Sequence, residues 1–334
     1  MDIKNNIINY SKRIGIDYIG FSDIDFSQKF VNNLKESRID GRLSSFEESD
    51  EFKRVDVKSL MNDGKTFISI GIGYKYNEIS RTRPYLSKYT LGTDYHMIVN
   101  NKLKLLSKYI EENYNGKSML FCDTSRLHDK EIALKSGIGF QGKNTNIITD
   151  KHGSFVFLGE LLTNVFIERD LPVEEKCGEC RKCIDACPVS ALSDKGIDGQ
   201  KCLSYITQKK ILDISDETLI GNRVFGCDTC QDVCHFNKGK EISSIEEFKP
   251  FDYLTNIDIE ELLTISNKGF KEKYSKHALA WRGKFIIQRN VIIALGNSKK
   301  EEYIPLLLNK LNDEKLGIYA KRALEKIQKY KGEK

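Results

Sequence analysis

The residues best suited to chemistry are the cysteines, eight of which lie between Cys177 and Cys234. The first four follow the spacing C-x2-C-x2-C-x3-C, with Pro188 directly after the fourth. This spacing binds [4Fe–4S] clusters, and its fourth cysteine ligates the second cluster of a pair. It assigns one cluster to Cys177, Cys180, Cys183 and Cys234, and the other to Cys187, Cys202, Cys227 and Cys230. The spacing therefore predicts two clusters that carry electrons.

Zinc is the alternative interpretation, because two C-x2-C pairs also form zinc ribbons. A zinc site takes four ligands and gains nothing from a third cysteine at this spacing or from the proline after the fourth. The ninth cysteine, Cys122, stands alone and is predicted to be a buried strand residue. The pattern as a whole favours iron–sulfur clusters over zinc.

Length and composition indicate a folded protein of two or three domains, with 334 residues, 40% hydrophobic content and 5 prolines. The first residues show no apolar segment behind a basic end, and no run of about 18 apolar residues occurs. We therefore expect a cytoplasmic protein with no signal peptide and no membrane span. Disulfides are not expected in that reducing compartment.

Hydrophobic periodicity predicts an α+β fold whose first domain, residues 1–168, is an α/β domain. This domain alternates predicted helices and strands: an opening helix, then strands at Asp17–Phe21, Thr66–Tyr74 and Lys117–Cys122, with a long helix from Asp94. The last of these strands ends beside Asp123. A hairpin is predicted between Asn144–Thr149 and Ser154–Thr163.

Two further domains are predicted after residue 168. Residues 169–250 hold the paired cysteines and few aliphatic residues, which indicates a ferredoxin-like domain that depends on its clusters. Residues 251–334 have a helical pattern at Lys284–Leu295, Tyr303–Leu311 and Leu316–Ile327, typical of HEAT-like repeats. Residues 267–334 contain 17 Lys and Arg against 7 Asp and Glu, which favours a nucleic-acid partner. A solvated lysine-rich cap without a binding role is the alternative.

Further sequence blocks accompany the cysteines in order along the chain. They are Gly92–His96, Asp123–Thr124, Gly137–Asn144, Gly153–Glu160, Lys201–Tyr205, Gly221–Arg223, Gly226–Gln231, Trp281–Gly283 and Arg289–Asn290. Together these blocks resemble the epoxyqueuosine reductases over nearly the whole chain. The blocks GIGFxGKN and GSxxxLGE are much more specific than the cysteine spacing alone. One departure from the usual pattern is His235, which stands where a proline often follows the last cysteine.

The resemblance implies a two-electron reduction of an epoxide to an alkene in the modified wobble base of tRNA. It also implies that residues 1–168 form a cobalamin-binding catalytic domain. Its base-off cobalamin would be recharged by the two [4Fe–4S] clusters, with Asp123 as the proton donor. By residue type alone, an aspartate after a strand is more often a helix N-cap. The positions that match the family's cobalamin contacts are Arg54, Asp94, His96, Asp123, Lys143, Asn144, Ile147, Leu158, Ser204 and Gln208.

The implied RNA contacts lie at the start of the basic helical region. They are Trp281, Arg282, Lys284, Arg289 and Asn290. Basic side chains there are expected to bind phosphates of the anticodon stem-loop while the modified base turns out into the cofactor pocket. We expect a monomer that receives electrons from an unidentified low-potential donor. Two alternatives stay open: another corrinoid and iron–sulfur reductase, such as a reductive dehalogenase, and a non-catalytic ferredoxin-type electron carrier.

Overall fold

The structure is a computed structural model that describes residues 2–76 and 84–332. The outermost residues of the first and last predicted domains, Met1 and 333–334, lie outside the described residues. The chain divides into two compact units. Unit 1 comprises Met1–Tyr76, Tyr95–Gln200 and Thr229–Phe248, and unit 2 comprises Asn77–Asp94, Lys201–Asp228 and Lys249–Lys334. The division into three domains at residues 168 and 250 stays a prediction.

The described strands and helices are numbered in chain order. The strands are β1 Tyr18–Asp23, β2 Thr66–Gly73, β3 Tyr85–Leu86, β4 Ser118–Phe121, β5 Phe140–Gln141, β6 Ile147–Ile148, β7 Val156–Thr163, β8 Leu192–Ser193, β9 Gly196–Ile197 and β10 Arg223–Phe225. The α-helices are α1 Ile3–Arg13, α2 Gln28–Ile39, α3 Tyr95–Tyr114, α4 Asp129–Lys135, α5 Lys182–Asp185, α6 Leu203–Ile206, α7 Ile214–Leu219, α8 Thr229–Asp232, α9 Asp252–Thr255, α10 Ile259–Thr264, α11 Asn267–Tyr274, α12 Gly283–Ser298, α13 Ile304–Leu308 and α14 Gly317–Gly332.

Unit 1 is built on a four-stranded sheet with the order β1-β2-β7-β4. All three strand pairs in this sheet are antiparallel. Every residue of β2 is buried, so this strand is covered on both faces. An α/β unit requires parallel strands joined by helical crossovers. The antiparallel pairing therefore makes this part of the chain α+β and corrects the α/β description of its first domain.

The long helix α3 packs on the sheet through the apolar stripe that its sequence predicts. Its residues Val99, Leu103, Leu106 and Ile110 are fully buried. Strand β7 has a glycine where the helix approaches it, because a Cβ at Gly159 would lie 2.4 Å from Val99 Cγ1. Burial of this stripe, at about 1.5–3 kcal/mol for each large aliphatic side chain, holds the helix in place.

The predicted hairpin across residues 150–153 is wrong. The segments do approach each other at an isolated bridge between Thr149 and Gly153. However, β6 pairs with β5, and β7 pairs along its length with β2. The run Ser154–Thr163 is rich in apolar residues because β7 is an internal strand of the larger sheet, and internal strands read as near-continuous apolar runs.

Unit 2 has a helical core. The predicted segments Lys284–Leu295, Tyr303–Leu311 and Leu316–Ile327 correspond to α12, α13 and α14. Residues from Ile286 to Gly296 of α12 are all buried, so this helix is central. It packs closely against α14, since a Cβ at Gly296 would lie 2.6 Å from Ala323 Cα. Within the described residues, no helix has the length and apolar character needed to cross a bilayer.

Candidate iron–sulfur centre and acid site

Four cysteines of unit 1 line one cavity. They are Cys177, Cys180, Cys183 and Cys234, the set that the spacing assigns to one cluster. No described residue between 168 and 190 is buried, so the loop that carries three of these thiols has no apolar core of its own. Metal ligation supplies folding energy to such segments. The four thiols therefore fit a cluster that also holds their loop.

The remaining four predicted ligands are divided between the two units. Cys187 and Cys230 belong to unit 1, and Cys202 and Cys227 belong to unit 2. The backbone N–H of Ala191 donates to Cys187 Sγ at 3.3 Å. Among the described residues, no three His, Cys, Asp or Glu side chains converge on a position for a single metal ion.

The cavity also brings two predicted cobalamin contacts beside the thiols. Lys143 and Asn144 contribute to its lining. The ammonium group of Lys143 donates to the carbonyl of Gly178 at 2.6 Å, on the loop between the first two cysteines. Beside the second cysteine, His235 Nδ1 lies 3.8 Å from Cys180 Sγ. The spacing of the cysteines does not predict either of these two contacts.

A buried amide network anchors the loop that carries Cys234. The Asn237 side chain accepts from the Ser154 backbone N–H at 2.7 Å and donates to the Gln231 carbonyl at 2.7 Å. Ser154 Oγ donates to Gln231 Oε1 at 2.9 Å. Gly153 must be glycine at this point, because its φ is +60° and a Cβ would lie 2.1 Å from Asn237 Oδ1. The Gly153–Ser154 part of the specific block thus fixes the cluster loop.

Asp123 lies just beyond the end of β4, and its carboxyl group is exposed. Its φ of +55° is in the left-handed region, which is uncommon for residues other than glycine and is tolerated best by Asn and Asp. Two contacts hold it there: Tyr95 Oη donates to Asp123 Oδ2 at 2.7 Å, and the Asp123 N–H donates to Asp129 Oδ2 at 3.0 Å. Asp123 does not cap α4, because His128 is the N-cap of that helix.

Two further carboxyl groups of unit 1 lie close enough to Asp123 to interact electrostatically with it and with each other. Burial raises the pKa of Asp129 to about 7, and the charge on Asp123 adds to this increase. Burial, followed by the charges on Asp129 and Asp123, raises the pKa of Glu160 well above its ordinary value. Sequence reasoning missed both residues, although Glu160 ends the block GSxxxLGE.

Arg54 and Asn144 each keep a polar atom that is buried and has no hydrogen-bond partner. The atoms are Arg54 Nε and Asn144 Nδ2. The other end of the Arg54 guanidinium pairs with Glu47 at 3.2 Å. Nearby His128 has a pKa lowered to about 3, by burial first and by the charge on Arg54 second. Buried donors without partners are rare in folded proteins, so these two N–H groups suit a bound polar group.

The other predicted cobalamin contacts take several roles. His96 stacks on Tyr95, with ring centroids 4.1 Å apart. Ile147 and Leu158 belong to one small apolar cluster in unit 1. In unit 2, Asp94 donates its backbone N–H to Lys276 at 2.8 Å. Also in unit 2, the Ser204 carbonyl accepts from Gln208 Nε2 at 2.8 Å.

The predicted RNA contacts fall into two groups within unit 2. Trp281 is 58% exposed, and the guanidinium carbon of Arg282 lies 4.5 Å from its ring centroid. Lys284 is half-buried and donates to the Ile265 carbonyl at 3.1 Å. Arg289 and Asn290, by contrast, are 0% exposed. The predicted RNA contacts of Arg289 and Asn290 are therefore wrong, because a side chain without exposed surface has no access to a phosphate.

Arg289 and Asn290 instead satisfy buried carbonyl groups. Arg289 donates to the carbonyls of Lys209 and Lys210 at 2.9 and 3.0 Å. Asn290 donates to the carbonyls of Thr207 and Val224 at 2.6 and 2.8 Å. Burial lowers the pKa of Arg289 to about 10, so the side chain stays charged at neutral pH. These two residues connect α12 to the segment that follows Cys202.

We expect Arg289→Met to lower the free energy of unfolding by about 3 kcal/mol, because it leaves buried carbonyl groups without donors. The methionine fills much of the volume, so the loss comes mainly from the hydrogen bonds. Chemical denaturation followed by circular dichroism measures the change. Lys321→Met, at an exposed position of α14, is the control and should change stability by less than about 0.5 kcal/mol. An equal, small effect of both substitutions would contradict a structural role for Arg289.

One matching family defines the class of protein to which the chain belongs. Residues 176–237 match the family described as a 4Fe-4S double cluster binding domain. Those residues include all eight predicted ligands, and the match confirms the prediction of two [4Fe–4S] clusters. The chain is thus an iron–sulfur protein of the double-cluster type.

The particular family follows from the rest of the chain. Residues 54–124 match the family described as epoxyqueuosine reductase QueG, DUF1730. Epoxyqueuosine reductase of Bacillus subtilis (strain 168) is 40% identical over 91% of this chain and 82% of its own length. The chain belongs to the epoxyqueuosine reductase family and is an oxidoreductase, as its sequence blocks predict.

Solved structures agree with this assignment. A crystal structure of epoxyqueuosine reductase with an epoxyqueuosine-modified tRNA-Tyr stem loop is 34% identical and superposes with a TM-score of 0.88, covering 98% of this chain and 99% of that one. A structure of the Bacillus subtilis enzyme, with its catalytic aspartate loop swung out of the active site, is 36% identical with a TM-score of 0.89. It covers 97% of this chain and 90% of its own.

Proposed function

We propose that this chain reduces epoxyqueuosine to queuosine at the wobble position of tRNA, with Asp123 as the proton donor. The observation that carries the proposal is the geometry of Asp123. Its carboxyl group is exposed and accepts from Tyr95, and its backbone lies in the left-handed region with its N–H donated to Asp129. Residues kept in unfavourable backbone conformations cluster at functional sites, where surrounding contacts compensate for the strain.

Cobalamin is the proposed cofactor, and the residues of unit 1 fit a large polar group. The unpartnered donors Arg54 Nε and Asn144 Nδ2 are suited to the amide and phosphate oxygens of a corrinoid. Ile147 and Leu158 supply apolar surface, and the remaining proposed contacts are Asp94, His96, Asp123, Lys143, Ser204 and Gln208. When bound, the corrinoid supplies low-potential two-electron chemistry that amino-acid side chains lack. Tyr95 and Asp129 orient the acid.

Electrons reach the reaction through the two clusters in this proposal. The cavity formed by Cys177, Cys180, Cys183 and Cys234 holds the first cluster. The other four cysteines hold the second. The physiological donor is proposed to be a low-potential electron carrier, and a monomer is the proposed working state.

The proposed RNA-binding surface lies in the C-terminal helices of unit 2, which we propose to be HEAT-like. Trp281, Arg282 and Lys284 are the members of the predicted set that have exposed surface. Arg282 already stacks on the Trp281 ring, an arrangement that also suits a splayed base and its phosphate. The related crystal structure with a bound stem loop supports tRNA as the partner.

The test of the function is direct conversion of RNA. The clusters are reconstituted anaerobically, cobalamin and a chemical reductant are added, and an anticodon stem-loop carrying epoxyqueuosine is followed by mass spectrometry. The expected result is the loss of one oxygen atom from the modified base. Omitting cobalamin should abolish the change. Full conversion without cobalamin would exclude the proposed cofactor, and no conversion with every component present would exclude the function.

Arg282→Gln should weaken stem-loop binding and reduce the slope of log affinity against log salt by about one, because one phosphate contact is lost. Fluorescence anisotropy at several salt concentrations measures both quantities. Lys268→Gln, at an exposed lysine of α11, serves as the control. An unchanged salt slope for Arg282→Gln would show that this guanidinium does not contact RNA.

A further inference from the structure

Removal of an epoxide oxygen as water needs two protons as well as two electrons. Both C–O bonds break, a C=C bond forms, and the oxygen leaves with the two protons. A low-potential reductant supplies the electrons through the clusters. Asp123 has one carboxyl group and therefore delivers one proton each time it is protonated. A second proton has to reach the oxygen within the same turnover, and a protonated group beside Asp123 can supply it by restoring Asp123.

The structure places two other carboxyl groups behind Asp123. Asp129 stands in the first turn of α4, and its Oδ2 accepts the Asp123 N–H at 3.0 Å. Glu160 lies at the centre of the sheet in β7, where its register partner is Phe121, two residues before Asp123. Helix α4 packs against the same strand. Three different elements thus bring Asp123, Asp129 and Glu160 together.

Glu160 has no exposed surface, and its hydrogen bonding is incomplete. Its Oε1 accepts from Ser69 Oγ at 3.4 Å, and its Oε2 is buried without a hydrogen-bond partner. An ionised carboxylate in such a place would be far more costly than a protonated one. A buried carboxyl group that keeps its proton can return a proton to a neighbouring donor that has lost one.

On the basis of the proposed function, we propose that Asp129 and Glu160 hold the protons that restore Asp123 during turnover. Proton transfer between carboxyl groups takes place directly or through one water molecule. Asp129, which touches the Asp123 backbone, is the nearer member of the pair. Glu160 is the interior member. Both act through Asp123 and are positioning and relay residues, without contact to the substrate.

The pKa directions of the two groups agree with this role. With a pKa of about 7, Asp129 is protonated below neutral pH and gives up its proton as the pH rises above 7. Glu160 stays protonated to higher pH, because its pKa is raised well above the ordinary value. The titratable and charged groups around the pair are Asp123 after β4, His128 and Lys130 at the start of α4, and Tyr95 on α3.

The first test asks whether the protons are present, and it does not depend on activity. Infrared spectra of the full-length chain are recorded from about pH 5 to about pH 9, a range that brackets the pKa of Asp129. We expect carbonyl stretching bands of protonated carboxyl groups to persist at pH 7. Glu160→Gln should remove one band, and Asp129→Asn should remove the component that titrates near neutral pH. Spectra without protonated carboxyl bands at pH 7 would overturn the relay.

The second test uses the reconstituted holoenzyme. In the unmodified chain, kcat should fall as the pH rises through the pKa of Asp129. Asp129→Asn should lower kcat by about tenfold below pH 7 and flatten this pH dependence, with KM unchanged because the residue does not touch substrate. Asp129→Glu, which keeps an ionisable group, should restore a pH-dependent kcat. Glu160→Gln should also lower kcat by about tenfold.

Glu131→Gln is the matched control, since it removes a partly buried carboxyl group of the same helix α4 whose charge interacts with Lys135. It should keep the kcat and pH profile of the unmodified chain. If Asp129→Asn and Glu160→Gln behave like this control while Asp123→Asn is inactive, the relay is wrong and the proposed acid stands. If Asp123→Asn is fully active, the acid assignment fails and the relay fails with it.

Discussion

Asp123→Asn is expected to reduce epoxide reduction by about a thousandfold, the middle of the range for loss of a general acid. The substitution changes the chemistry and very little else. Asparagine tolerates the φ of +55° that this position requires, and its amide oxygen accepts the hydrogen bond from Tyr95. Because the side chain is exposed, the substitution should cost little stability, and the loss in rate then reports on proton donation.

Single-turnover conversion of the stem-loop RNA measures this effect in the holoenzyme. The visible spectrum of bound cobalamin provides the parallel measurement and should stay the same in the variant. Asp150→Asn, at an exposed turn of unit 1, is the control and should retain full activity. A wild-type single-turnover rate for Asp123→Asn would show that another group protonates the epoxide oxygen.

Cys234→Ala is expected to remove about four of the roughly eight iron atoms in the reconstituted chain, because a [4Fe–4S] cluster is held by four thiolates. Cys234 is the ligand of its cavity that lies farthest along the sequence from Cys177, Cys180 and Cys183. Its loss also releases the exposed loop between residues 168 and 190, which has no buried residue to hold it. We therefore expect this loop to become more sensitive to protease as well.

Iron analysis and electron paramagnetic resonance of the reduced protein measure the loss of the cluster. The control is Cys122→Ala, which removes a buried thiol that lies 3.7 Å from the Leu158 carbonyl. That variant should keep all of its iron. Equal iron contents in the two variants would contradict the assignment of Cys234 to a cluster. A chain that binds zinc in place of iron after anaerobic reconstitution would contradict both clusters.

Hydrophobic periodicity predicts much of the local structure. The stripe on α3 and the helices α12 and α14 appear where the pattern predicts them. Helix α3 buries one apolar stripe, whereas α12 is buried without a break from Ile286 to Gly296. Periodicity did not predict the pairing of the strands. Strand β7 was predicted as one half of a hairpin, yet it lies between β2 and β4. An apolar run shows that a strand is buried but does not identify its neighbours.

The sequence by itself determined the family and the presence of a double-cluster domain, and it predicts the cluster ligands, since the cysteine spacing and the motif blocks are short patterns contained within the chain. Only the tertiary structure decided which polar residues are exposed and which carboxyl groups meet. Arg289 is buried in α12, and Asp129 of α4 and Glu160 of β7 interact with Asp123, which follows β4. Burial and electrostatic coupling arise from contacts between residues distant in sequence, and such contacts leave no periodic signal along the chain.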